Sequence, residues 1–330
     1  MAVKILIIRF SSIGDIVLTT PVVRCLKSQL PDAEIHYLTR DAYARIPESN
    51  PYIDRVISFS GSIREVFPLL KEQKYDRIID LHRNLRSWFT LLNLWRPFSS
   101  FRKLNACKWL LVNFKINRLP QVHIVDRYMQ AVAKLGVVSD GLGLDFFIPP
   151  AEEVPVSELP ETFRKGYTAF VTGGRHNTKI LPAERIIDIC RLLNSPVVLL
   201  GGPEDRERAG EVENTPGLTV YNACGKYNLM QSASLVRKAK NVVSNDTGLM
   251  HIAAAFQKPM VSVWGNTVPE FGMYPYLSAD VPSMIAEVKG LPCRPCSKIG
   301  HPKCPKGHFR CMLDQDVNAI ATFINKNDIR

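Results

Sequence analysis

The sequence predicts an α/β protein made of two doubly wound, Rossmann-like halves facing a central cleft. Three observations carry this. Short β-branched runs alternate with amphipathic stretches, the pattern of βαβ units around a parallel sheet. The 330 residues suit two domains of ordinary size. The alternation also halts at 149–161, where four prolines and four glutamates show little apolar periodicity, and then restarts. The expected division is 1–148, a linker at 149–165, and 166–330, with ligands bound beyond the carboxyl ends of the strands.

Taken in order, Val3–Arg9 reads as a buried strand, because its apolar run is too short for a signal h-region or a membrane span. The loop Phe10–Asp15 leads into a helix running to about Leu30, which Pro21 must kink or open. Glu34–Leu38, Arg55–Phe59 and Arg77–Asp80 are strands. Ser62–Glu72 and His123–Leu135 have helical spacing, the second stopping at Gly136 as a glycine cap would stop it. Beyond the linker come strands Tyr167–Thr172, Val197–Gly201, Thr219–Tyr221, Asn241–Ser244 and Met260–Trp264. Between them lie helices Pro182–Leu193, Glu204–Asn214, Leu229–Lys238 and Leu249–Phe256, and Asp316–Asn325 closes the chain as a helix.

Hydrophobic residues at 46% and charged residues at 22% give the balance of a soluble globular protein. No run approaches the ~18 apolar residues of a membrane helix, so a cytoplasmic protein is expected. The charge of +11 is uneven: residues 1–150 hold 21 Lys/Arg against 13 Asp/Glu, and 151–330 hold 21 against 18. The first half is therefore the one expected to meet a phosphorylated or otherwise anionic partner.

Four loops follow predicted strands, where an open α/β sheet presents its ligand contacts. In the first, Ser12-Ile13-Gly14-Asp15, the glycine allows a tight turn and the Asp15 carboxylate either enters the cleft or caps the next helix. In the second, Gly173 and Gly174 let backbone N–H groups approach a phosphate and Lys179 adds a point charge, although a plain surface turn explains the glycines equally well. The third places Glu204 after a strand, where a carboxylate accepts from ribose hydroxyls or simply favours a helix start. The fourth is Ser244–His251: Asp246 suits sugar hydroxyls, and Thr247 and Gly248 stand at a helix start. His251, one turn in, suits a packed histidine by position alone.

Ser-x-Gly-Asp after the first strand resembles the N-terminal signature of the bacterial lipopolysaccharide heptosyltransferases. Ser244–Ala255, followed by Lys258-Pro259 and Trp264-Gly265-Asn266-Thr267, resembles their donor-site signature. The resemblance implies a GT-B fold. It also implies an inverting transfer that needs no metal or other cofactor, from a nucleotide-activated sugar, usually ADP-heptose, to a lipopolysaccharide-core acceptor. By position, Asp15 would be the general base, flanked on the acceptor side by Ser12 and Gly14. Lys179 would meet the donor phosphates with Gly173 and Gly174, and Glu204 the ribose. Asp246 would meet the transferred sugar, with Thr247, Gly248 and His251 completing the donor loop. The stretch 173–178 departs from the family's usual diphosphate loop.

Residues 82–118 hold eight Lys/Arg, no Asp/Glu and seven aromatics. For an enzyme acting on lipid-linked acceptors, this surface would meet a phosphorylated glycolipid, through Arg83 and Arg86, and the inner-membrane surface. The enzyme would then be peripheral, with nucleic acid not expected as a partner. A rival reading is a nucleic-acid-binding protein that uses this stretch with a zinc site at 293–311. A dehydrogenase is weaker still, since no Gly-x-Gly-x-x-Gly follows the first strand. Cys293, Cys296, Cys304 and Cys311 either close a tetrahedral structural zinc site or remain reduced thiols packed in a loop; disulfides are disfavoured in a cytoplasmic protein. On either outcome the segment is expected to brace the cleft.

Overall fold

The computed structural model describes residues 3–328, and these form two compact units. One takes in the described residues to Lys103 and then Val122–Phe147; the other takes in Leu104–Gln121 and the described residues from Ile148 onward.

Along the chain, the first unit runs β1 (Lys4–Ile8), α1 (Ile13–Val17), α2 (Thr20–Gln29), β2 (Glu34–Arg40), α3 (Arg45–Glu48), β3 (Arg55–Phe59), α4 (Phe67–Glu72), β4 (Arg77–Asp80), α5 (Leu85–Leu94) and β5 (Phe98–Ser100). After α6 (Asn105–Phe114), which clusters with the second unit, α7 (Ile124–Met129) returns to the first. The second unit continues with β6 (Thr168–Val171), α8 (Ala183–Leu192), β7 (Val197–Leu200), α9 (Arg206–Glu213), β8 (Val220–Asn222), α10 (Leu229–Lys238), β9 (Asn241–Asn245), α11 (Gly248–Ala255), β10 (Met260–Trp264), β11 (Ser283–Glu287), α12 (Arg310–Leu313) and α13 (Val317–Asp328).

Both sheets are parallel, in the orders β3-β2-β1-β4-β5 and β11-β10-β9-β6-β7-β8. Strands such as Lys4–Ile8 and Met260–Trp264 are buried on both faces, which is why they read as unbroken apolar runs. One core gathers Leu6, Ile8, Leu38, Phe59 and Ile78 with Leu91 and Leu94. The other gathers Phe170, Leu199, Val243 and Val261 with Ile186, Ile320 and Ile324. Each such side chain contributes about 1.5–3 kcal/mol on burial. Strand order reverses beside β1 and β4 in one unit and beside β6 and β9 in the other, opening a crevice at the carboxyl edge of each sheet.

Several local expectations change. The helix expected to reach Leu30 is two helices, and Pro21 sits in the first turn of α2, where a missing N–H costs no hydrogen bond. The helix from His123 stops at Met129; a tighter turn then reaches Leu135, ended by Gly136 at φ +77°. The Pro-rich stretch is no loose tether. Val154 and Leu159 are buried, Ser234 Oγ donates to Glu153 at 2.8 Å, and Arg237 pairs with the same carboxylate, so the segment lies pinned to α10. Residues 104–121, expected in the first half, belong with the second because Leu111 packs on Val268 and Phe271. No helix among the described residues is long and apolar enough to cross a membrane.

Candidate functional site

The first crevice is organised by Arg9, a cation at the end of an apolar strand. Its Nε donates to the Ser11 carbonyl at 2.8 Å, and Nη1 donates to the Leu81 carbonyl at 2.5 Å and the Tyr128 hydroxyl at 2.9 Å. Nη2 lies 2.5 Å from Asp15 Oδ1. The loops after β1 and β4 are thereby tied through one buried side chain. Burial works most strongly against its charge, but Asp15, Tyr128 and Tyr37 together outweigh that and hold the guanidinium above its ordinary value. The other Asp15 oxygen accepts from Ser12 N at 3.1 Å and Ser12 Oγ at 2.8 Å. Asp15 therefore does cap α1 as a capping-box residue, and it is also an ion-paired, partly exposed carboxylate at the crevice. Gly14 is buried in the same turn.

After β4, buried Asp80 accepts from His82 N, Arg83 N and Ser87 Oγ at 2.8–2.9 Å, shaping a turn in which Arg83 takes φ +53°. Arg83 Nη1 donates to the Phe101 carbonyl at 2.7 Å, so Arg83 braces the segment after β5, while Arg86 is exposed on α5. The His82 ring packs tilted against Phe10, centroids 4.9 Å apart. Burial, and then the charge of Arg9, pushes its imidazole down to about 3, so it is neutral.

In the second unit the loops after β6, β9 and β10 converge. Lys179 Nζ lies 2.5 Å from Asp246 Oδ2, and Thr267 Oγ1 donates to the same oxygen at 2.8 Å. Asn245 stitches the loops from below: its amide nitrogen donates to the carbonyls of Thr172 and Gly173, and its oxygen accepts from Leu181 N. Thr247 occupies the N-cap position of α11 without capping it, and its hydroxyl is shielded with no hydrogen-bond partner among the described residues. Thr247 and the first turn beginning at Gly248 therefore leave polar groups unsatisfied at the start of α11. His251 is only 3% exposed, inside the fold and not at the loop surface.

The glycines have a packing reason. A Cβ on Gly173 or Gly201 would strike the Asp205 carboxylate, and one on Gly174 would press Ile180 at 3.0 Å and meet Thr247 at 3.6 Å. Buried Asp205 accepts from Gly202 N at 3.0 Å and pairs with Arg208 at 2.5 Å; Arg208 also reaches the Thr172 carbonyl. Glu204 stays exposed beside this turn.

The cysteine segment braces these loops. His301 N donates to Thr178 Oγ1 at 2.8 Å and Thr178 N donates back to the His301 carbonyl. Arg294 donates to the carbonyls of Gly265, Val288 and Thr267 and pairs with Glu287 at 3.0 Å. Cys293, Cys296, Cys304 and Cys311 are free, and Cys293 Sγ lies 3.7 Å from His308 Nε2. Among the described residues, no group of three or more His, Cys, Asp or Glu is placed to hold a metal ion. Burial, reinforced by neighbouring thiols, pushes Cys296 up to about 11 and Cys311 up to about 12, keeping both protonated.

The structure thus brings Lys179, Asp246, Thr247 and Gly248 together, with Gly173 and Gly174 beside them. It separately gathers Ser12, Gly14 and Asp15 with the turn that holds Arg83. The 82–118 stretch on which a nucleic-acid reading rested is divided between the two units. Sequence reasoning gave no individual role to Arg9 or Arg294, and quoted Asn245 and Thr267 only within the donor-site signature. Arg9 had a signal, an arginine closing a buried apolar run; the roles of the others are recognisable only from their partners.

The sequence profile of glycosyltransferase family 9 (heptosyltransferase) matches residues 63–302. Lipopolysaccharide heptosyltransferase 1 of Escherichia coli strain K12 is 27% identical over 289 residues, covering 81% of this chain and 89% of that protein. A family 9 glycosyl transferase of Veillonella parvula has a TM-score of 0.78 at 22% identity, covering 99% of this chain and 97% of its own. An E. coli heptosyltransferase solved with ADP has a TM-score of 0.67 at 24% identity, covering 98% and 99%. These two share the fold, two Rossmann-like units of the GT-B class. With the profile spanning most of its length, the chain belongs to glycosyltransferase family 9, the heptosyltransferase family, and is a glycosyltransferase.

Proposed function

We propose that the enzyme moves a heptose from ADP-heptose to a hydroxyl of a lipopolysaccharide-core or related glycolipid acceptor, with inversion and without a catalytic metal. The observation that carries this is the Lys179–Asp246–Thr267 cluster beside the unpartnered Thr247 hydroxyl at the start of α11. A cation and a helix N-terminus suit a diphosphate, and a carboxylate next to them suits the hydroxyls of the sugar it carries. Glu204, exposed after β7, is the acid for the ribose. The ADP bound by the E. coli relative supports adenine as the base.

In the reaction the acceptor oxygen bonds to the anomeric carbon as the bond from that carbon to the diphosphate oxygen breaks. Asp15 takes the hydroxyl proton, and the nucleoside diphosphate leaves with the electron pair. General base help of this kind contributes about 10²–10⁴ in rate. Lys179 and the first turn of α11 meet the charge that grows on the leaving group. Asp15 lies outside the stretch matched by the family profile, so its role rests on the geometry around Arg9. Ser12, Gly14, Arg83 and Arg86 serve the acceptor side, and His251 acts by packing beneath the donor loop. The enzyme works in the cytoplasm against the inner membrane, and the cysteine segment is a brace.

Thermal melts with ADP-, GDP-, UDP- and CMP-sugars test the donor. A ligand at a hundred times its Kd adds about 2.7 kcal/mol of stability. ADP-heptose should raise the melting temperature and the others should not. A rise with another base, or with none, removes ADP-heptose as the donor.

A further inference from the structure

α5 is amphipathic the wrong way round. Its buried side carries Ser87 and Thr90 beside Leu91 and Leu94, the hydroxyls satisfied internally by Asp80 and the Arg86 carbonyl. Its outer side carries Leu85, Trp88, Phe89 and Leu92, and the stripe continues into Trp95 and Phe98; Leu85 is 92% exposed, Trp88 56%, Leu92 50% and Trp95 84%. Positions 85, 88, 89, 92 and 95 fall on one helical face. A contiguous outward apolar stripe marks an interaction surface, whereas scattered exposed side chains do not.

Two depressions adjoin it. One, of about 410 Å³, is lined by Trp88, Leu92, Trp95, Arg96 and Phe98. The other, of about 170 Å³, is lined by Lys71, Lys74, Tyr75, Asn93 and the same Arg96. Lys71, Lys74 and Arg96 make no ion pair among the described residues, and Asn93 Oδ1 is shielded without a partner. Arg64 adds a further cation over the Phe89 ring at 5.5 Å. α5 carries no acid; of the nearby acids, Glu65 is spent on Ser62 N and Glu72 lies on α4.

We infer that α5 and the turn after it are the membrane-docking element, lying in the interface of an anionic bilayer with one phospholipid held across the two depressions. This rests on the membrane reading above and names its lipid class. The headgroup phosphate sits among Lys71, Lys74 and Arg96, and Asn93 Oδ1 accepts from a headgroup hydroxyl, as a glycerol headgroup provides. The apolar part follows the groove of Trp88, Leu92, Trp95 and Phe98. Charge complementarity selects lipid over a protein partner: the two depressions are lined by three cations and no acid, and tryptophans flanked by cations suit the headgroup boundary. The basic residues of 104–118 take no part.

Flotation of the full-length protein with vesicles of phosphatidylcholine alone, or mixed equally with phosphatidylglycerol, tests this without donor or acceptor. Its failure is therefore separable from failure of the transferase reading, which transfer to a delipidated acceptor reports. Wild type should float with the mixed vesicles only, with a blue shift of tryptophan emission. Each interfacial cation is worth about fivefold in binding, so Lys71→Ser/Lys74→Ser/Arg96→Ser should weaken it on the order of a hundredfold. Leu92→Ser/Trp95→Ser should abolish the blue shift, and Lys289→Ser/Lys303→Ser/Lys306→Ser, exposed on the second unit, should bind as wild type. Wild type that ignores both vesicles, equal loss in the second-unit control, or displacement by a single-stranded oligonucleotide overturns the proposal. So does a wild-type dimer that Leu92→Ser/Trp95→Ser converts to monomer in sedimentation, since the stripe would then face a second copy.

Discussion

Lys179 and Asp246, 67 residues apart, meet at 2.5 Å where the loops after β6 and β9 converge, and Thr267 binds the same carboxylate oxygen. Both partners are largely shielded, at 17% and 12% side-chain exposure, so each depends on the other for charge balance. Lys179→Met or Asp246→Asn alone should lower stability by about 1–3 kcal/mol. The double variant should recover part of that loss in thermal melts and recover no transfer. Thr267→Val should raise the donor KM while Thr267→Ser does not. A double variant no more stable than the weaker single removes the coupling.

Asp15→Asn keeps the shape of the turn but loses the charge that faces Arg9. Transfer should fall by about 10²–10⁴, with the Kd for nucleotide-sugar within about twofold of wild type. Calorimetry alongside turnover measurements decides this. Lost donor affinity with preserved turnover would sink the assignment of Asp15 as base.

His82 offers a test by pH. Its folded-state value, about 3, lies below the ordinary 6.5, because burial and the Arg9 charge exclude a second cation. As pH falls below about 6.5 the unfolded chain takes up a proton that the folded chain refuses. The stability contribution is complete above that value and is lost progressively toward pH 3. Denaturation followed from pH 7 to 4 should show a shallower acid decline in His82→Gln than in wild type. An unchanged slope means that His82 is solvated.

The cysteine segment should hold its loops without metal. The purified reduced protein should carry less than about 0.1 zinc per chain and keep its melting temperature with chelator. With folded-state values near 11 and 12 against an ordinary 9.0, Cys296 and Cys311 contribute stability that is complete below pH 9 and lost as pH rises toward those values. Stoichiometric zinc, or a drop in melting temperature on chelation, restores the tetrahedral site.

Local pattern carried much of this protein. Strands buried on both faces, such as Met260–Trp264, announce themselves as unbroken apolar runs, and loops after strands are where such sheets place their chemistry. Lys179, Asp246, Thr247 and Gly248 were legible for that reason, and the structure gathers them. The three-residue strand Phe98–Ser100 and the half-exposed β11 were not, because each buries too few side chains to show an apolar run. α5 escaped because its apolar stripe points to solvent, and a stripe in sequence does not say which way it faces.

Tertiary structure alone decided the rest. Arg9 became the organiser of the first crevice by reaching Leu81 and Tyr128, 72 and 119 residues away. Residues 104–121 joined the second unit through Leu111 on Val268 and Phe271, and the Pro-rich stretch was pinned by Ser234 and Arg237. Whether four cysteines can share one ion depends on where their sulfurs lie, which spacing does not convey. Periodicities of two and 3.6 residues are set by neighbours along the chain, so sequence displays them. Pairings across a hundred residues are set by which faces pack, and only the folded chain brings those faces together.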